Sequence, residues 1–126
     1  MTAGDIKNGA SLDGGIIGQL VATTSATALY TVGASTWVTV RGLVFANESA
    51  SARTVSYGVA KSGATIGAAG TFAAKTWPLG AAGATTATVT ASELAGMLLG
   101  PGDAVWFLSD AGTAVTGTLS GAVSHG

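Results

Sequence analysis

The residues able to do chemistry are few, and their spacing nominates no reaction. The carboxylates are Asp5, Asp13, Glu48, Glu93, Asp103 and Asp110. A glycosidase needs two of them across one sugar ring, and no spacing here marks a pair. A calcium loop needs several alternating oxygen ligands in a short span, which Asp5, Asn8 and Asp13 are too sparse to supply. Cysteine is absent, so thiolate metal sites, disulfides and thiol nucleophiles are excluded. A lone histidine, His125, cannot build a histidine metal centre or a serine–histidine–acid triad. Glycine is abundant, yet neither G-x-x-x-x-G-K-[ST] nor G-x-G-x-x-G between strand and helix occurs. These observations lead to the expectation of no enzyme, no metal and no cofactor.

Two side-chain sets remain. Trp37, Trp77 and Trp106, with Tyr30 and Tyr57, could stack on a sugar or lie in a subunit interface, where aromatics are enriched. Trp106 is the best interface candidate, because its strand phase opposes Val105 and Phe107. The cluster Ile16, Ile17, Leu20 and Val21 is the only apolar group in the Gly/Ala/Thr-rich lead of residues 1–27. It reads either as a short edge strand or as an arm that docks on a neighbouring subunit. Asp103 after Gly102, and Asp110 before Ala111-Gly112, are ordinary turn chemistry.

The elements that must position these residues are strands. Val38 and Val40 share one parity and Leu43 and Phe45 the other, so a β-bulge at Gly42 is expected to bring all four to the core. Arg41 beside that bulge is placed to hydrogen-bond a loop or a neighbour. Val55, Tyr57 and Val59 alternate with Thr54, Ser56 and Gly58. Pro78 belongs at a sheet edge or at a strand end. Ala87 and Val89 point inward in TTATVT, and Ser92 is placed to cap a helical turn that Gly96 stops. Val115, Leu119 and Val123 are in phase, with Gly117 and Gly121 on the same inward face, where close approach or bending is expected. Seven or eight short strands with Gly-rich turns predict an all-β chain: a small antiparallel β-sandwich, Ig-like or jelly-roll-like. The expected division is an arm at 1–27 and a sandwich at 28–126.

Composition fits assembly. The 126 residues and 12.1 kDa suit one domain, and Ala (25), Gly (20), Thr (18) and Ser (11) make up most of it. Only 9% of residues are charged, far below the usual proportion of about 25%. Part of such a surface is expected to be covered by other subunits. Five scattered basic residues make no nucleic-acid stripe. No apolar run approaches the roughly 20 residues of a membrane-crossing helix, and MTAGDIKNGASLDGG lacks the pattern of a secretory signal. The expected partners are therefore neither nucleic acid nor membrane.

The segments ALYTVGASTWVTVRGLVFANESASARTVSYGVA, LLGPGDAVWFLSD and VTGTLSGAVS together resemble small virion proteins of tailed bacteriophages. The shared outline is a leading Leu29-Tyr30-Thr31 strand, an apolar strand 43–47 ending in Asn47, a Thr/Val strand 53–59, the Gly102-Asp103 strand entrance and the closing Ser120-Gly121. The chain departs from that outline at Gly33, where proline is common, and across 60–84. The resemblance implies a head decoration (cement) protein bound to the major capsid protein. It would sit on the outer capsid surface as a homo-oligomer, trimeric in the usual arrangement. A minor tail or tail-tip protein, carbohydrate-binding in one form, is the alternative. No catalytic residues transfer with the resemblance.

Overall fold

The computed structural model describes residues 11–13, 15–67 and 72–125. Its ten strands are β1 (Ser11–Asp13), β2 (Ile16–Val21), β3 (Thr27–Thr31), β4 (Thr36–Asn47), β5 (Arg53–Ala60), β6 (Phe72–Leu79), β7 (Thr88–Thr90), β8 (Leu98–Leu99), β9 (Ala104–Ser109) and β10 (Val115–His125). The helical content described is two single 3-10 turns, Thr85–Ala87 and Ser92–Leu94. Ala91, not Ser92, precedes the second turn, and no side chain caps it.

The strands form two antiparallel sheets. In the first, β10 and β4 are central; β1 and β2 lie end to end along β10, while β7 and β8 lie along β4. The second has the order β3-β9-β5-β6. Pairing thus runs β2 with β10, β3 with β9, β4 with β7 and β8, and β5 with β6. That nesting is one long antiparallel hairpin rolled into two layers, the jelly-roll arrangement. Between the two topologies compatible with the alternation, the pairing order selects this one over the Ig-like one.

The core lies between the layers. Val38, Val40, Leu43 and Phe45 are all at most 1% exposed. The register slips between Gly42 and Val40 opposite Ser120-Gly121, so Arg41 is the extra residue. The bulge therefore corrects the phase of β4, as the sequence requires. Phe45 packs on Tyr57 (ring centroids 5.0 Å apart) and on Phe107 (5.7 Å) from the facing sheet. Gly117 faces Phe107 so closely that an added Cβ would stand 2.9 Å from the ring. Pro78 sits on β6, which pairs only with β5 among the described residues, as its missing N–H demands.

One expectation is corrected. Ile16–Val21 is not an arm leading away from the sandwich but a strand of its first sheet, in register with Thr116–Ser120 of the same chain. Ala22 continues the contact: its N–H donates to the Val115 carbonyl at 2.7 Å, and it is 1% exposed. The sandwich therefore begins before residue 27. Residues 1–10 of the expected arm lie outside the described residues.

Candidate functional site

Two polar knots fix the ends of the sandwich. At one end, the buried Asn47 amide donates to the carbonyls of Ser51 (2.8 Å) and Gly80 (2.9 Å), and its oxygen accepts from Ser49 N–H and Oγ. At the other, the buried Asp103 carboxylate accepts from Lys61 Nζ, Ser62 N–H and Gly100 N–H, each at 2.9 Å. Burial pushes the Asp103 carboxyl up, but hydrogen bonds from Lys61, Gly100 and Ser62, with the Lys61 charge, hold it below its ordinary value. Both residues tie loops, which for Asp103 is the structural role its turn position indicated.

A third polar group bridges the layers. Tyr57 on β5 is wholly buried, and its hydroxyl donates to Glu93 Oε1 on the second 3-10 turn. Trp77 Nε1 on β6 donates to the same hydroxyl at 2.8 Å. Burial, then the hydrogen bond and charge of Glu93, raise the Tyr57 hydroxyl far above its usual range, against a lowering from Trp77. Tyr57 is thus a neutral structural donor. Sequence spacing gave no sign of Glu93, although a buried tyrosine demands a partner.

The interface candidates are divided by the structure. Ile17 and Leu20 pack on the core from β2, and Trp77 is half-buried in its hydrogen bond to Tyr57. Trp106 points outward from the second sheet, as its phase requires, but is only 4% exposed. Its cross-strand neighbours are Gly58 and Ala28, which leave room for the indole. Ser62, just after β5, lies against Gly102, and Gly67 lies against Ala26. Trp106 is therefore not presented to a neighbour.

The exposed large apolar side chains among the described residues are Ile16 (67%), Val21 (43%), Trp37 (42%) and Leu98 (63%). All four project from the outer face of the first sheet. Their cross-strand partners are Ser120, Thr116, Ser124 and Thr39, each outward in its strand. Sequence reasoning singled out three of these and missed Leu98, because a two-residue strand carries no periodicity. Between them the face is mostly Thr, Ser and Ala, with Gln19 and Val44 among them and Arg41 at the bulge. Glu48, just past β4, reaches it by accepting from Thr116 Oγ1 at 3.0 Å. A groove of about 520 Å³ lies between Gln19, Leu20, Val21, Glu48 and Thr116. A second cleft of about 330 Å³, at the Asp103 end, is lined by Val59, Lys61, Met97, Leu98 and Leu99. Neither brings two carboxylates together, and no cluster of three or more potential metal ligands occurs among the described residues.

No family model and no curated protein matches the chain. Among solved structures, a chain of Desmodium yellow mottle tymovirus is similar in fold. It has 9% identity and a TM-score of 0.53, over 95% of this chain and 89% of that one. A chain from the disulfide-linked pili of Bacillus endospore appendages has 18% identity and a TM-score of 0.45, over 92% and 87% respectively. The class defined by fold and surface is a small jelly-roll sandwich with one apolar, nearly uncharged sheet face.

Proposed function

We propose that the chain is a non-catalytic structural subunit of a tailed-bacteriophage particle, a head decoration protein that binds the major capsid protein on the outer shell. The observation that carries this reading is the gathering of every exposed large apolar side chain among the described residues on one face of a rigid sandwich. Such a face favours burial against other subunits. The jelly-roll fold, shared with a virus chain, and the resemblance in strand and turn motifs support the same reading. The mechanism is mechanical: the sandwich bridges adjacent capsomers, and many weak contacts sum through avidity. With few charges at the contact, attachment depends little on salt.

The test is to add the purified protein to phage particles that lack it and locate bound density by electron microscopy. Ordered density repeating over the head is the expected result. Density confined to the tail would replace this reading with the tail-protein alternative, and no density on either would overturn both.

A further inference from the structure

We propose that the outer face of the first sheet pairs with the same face of a second copy of this chain, about a two-fold axis lying along one cross-strand row. The pairing takes the Ile16–Val21 part of the face and leaves Trp37 and Leu98 open to the shell; it rests on the reading of the chain as an assembling subunit only for the expectation of self-association.

The row is Gln19, Thr118, Val44 and Thr90, which are direct neighbours across β2, β10, β4 and β7. Two positions to one side, Ile16 lies beside Ser120 and Gly42; two positions to the other, Val21 lies beside Thr116 and Ala46. Arg41 and Glu48 flank the row in the same way. Arg41 is the bulged residue next to Gly42, and the Glu48 carboxylate is drawn back to Thr116 by its hydrogen bond. A half-turn about this row, in the plane of the face, lays one β4 antiparallel over the other. Ile16 of each copy then meets Val21 of the other, and Arg41 of each meets Glu48 of the other. Self-complementarity of this kind is what an isologous contact requires.

Three further observations fit. Val21 and Glu48 line the same 520 Å³ groove, so one socket receives both Ile16 and Arg41 of the second copy. Arg41 and Glu48 are the only fixed charges that the described residues of β2, β4, β7, β8 and β10, and the residue following β4, bring to this face. The small residues between them let two sheets approach to the usual spacing of about 10 Å. The row crosses β10 at Thr118, three residues from its start, so the half-turn overlays only about seven positions (roughly 24 Å) across about 19 Å of sheet, about 450 Å² per copy. That is the size of a weak, transient contact rather than of a standard interface.

The experiment is sedimentation velocity on the full chain from about 1 to 200 µM, a range that resolves micromolar association. The wild type is expected to dimerise. R41E and E48R each place like charges at both symmetric contacts and are expected to weaken the dimer about tenfold or more. An equimolar mixture of the two variants restores opposite charges at both contacts and should recover wild-type affinity. Both positions are exposed, and circular dichroism is the check that the variants fold. A monomer throughout, a trimer, a dimer indifferent to both reversals, or a mixture that stays dissociated would each overturn the pairing. Particle binding is scored separately: a charge-sensitive dimer that decorates no particle overturns the decoration reading alone, and a monomer that decorates overturns the pairing alone.

Discussion

The hydroxyl of Tyr57 donates across the gap between the two sheets to the carboxylate of Glu93, while Trp77 donates to that same hydroxyl. A wholly buried phenol is thereby satisfied by an acceptor 36 residues away in sequence. The two layers thereby gain a directional link in addition to the loop ties at Asn47 and Asp103.

Removing only the acceptor should cost more than removing the pair. Glu93→Ala leaves the Tyr57 hydroxyl without its acceptor, at about 1 to 3 kcal/mol. Tyr57→Phe removes the donor and keeps the ring on Phe45, and the double variant should lie near Tyr57→Phe alone. Urea denaturation of the four proteins measures the coupling. Strict additivity would show that the link contributes nothing.

Asp103 should make the fold acid-sensitive. Its ordinary value is 3.8 and the folded value lies lower, so its contribution is complete above about pH 4. That contribution is lost as pH falls from there through the folded value. Asp103→Ala strands the Ser62 and Gly100 N–H groups and should cost about 2 to 3 kcal/mol at neutral pH. Urea midpoints from pH 7 down to about pH 2 should fall less steeply for Asp103→Asn than for wild type. Parallel curves would remove Asp103 from the acid transition.

Gly117 tests how tightly the layers approach. An added methyl would stand 2.9 Å from Phe107 Cε2, so Gly117→Ala should destabilise by about 1 to 3 kcal/mol through overpacking. Nothing lies within 4 Å of the corresponding position at Gly112, where the same substitution should be nearly neutral. Equal denaturation midpoints for the two variants would show that the sheets part at little cost.

What the sequence discloses is set by the range of each signal. The clash of parity between Val40 and Leu43 is local, and it locates the bulge at Arg41-Gly42 without any knowledge of the partner strand. The inward phase of Gly117 likewise marks a close approach, although not that Phe107 is what approaches. Alternation says which side chains face the core but is silent on which strands are neighbours, so the jelly-roll order is invisible to it. Trp106 shows the cost of that silence. Its outward phase is correct, yet it is only 4% exposed, and what lies over an outer face is set by long-range ties such as Asp103 holding Lys61 and Ser62 from more than forty residues away. The outer face of the first sheet was half-legible: Ile16, Val21 and Trp37 announce themselves, while Leu98 and the symmetric placement of Arg41 and Glu48 exist only once registers are fixed.

The same limit bears on the segment that sequence alone reads equally as arm or edge strand. An edge strand is covered on one side only, so its composition resembles a tail more than a core. The structure gives β2 three attachments to the rest of the sandwich. It pairs with β10, it places Ile17 and Leu20 on the core, and at Gly18 it passes so near β3 that a Cβ would stand 2.9 Å from the Leu29 carbonyl oxygen. Deleting residues 1–26 should therefore expose one side of β10 and part of the core. Half-burial of two large aliphatic side chains alone is worth about 2 to 3 kcal/mol, a large share of the roughly 5 to 15 kcal/mol that holds a domain together. The truncated chain is expected to melt well below the full-length protein and with a broadened transition, followed by tryptophan fluorescence. Leu20→Ala, with a smaller loss, should fall between the two. Cooperative melting of the truncated chain within a few degrees of full length would show β2 to be dispensable, and would return residues 1–26 to the role of an arm.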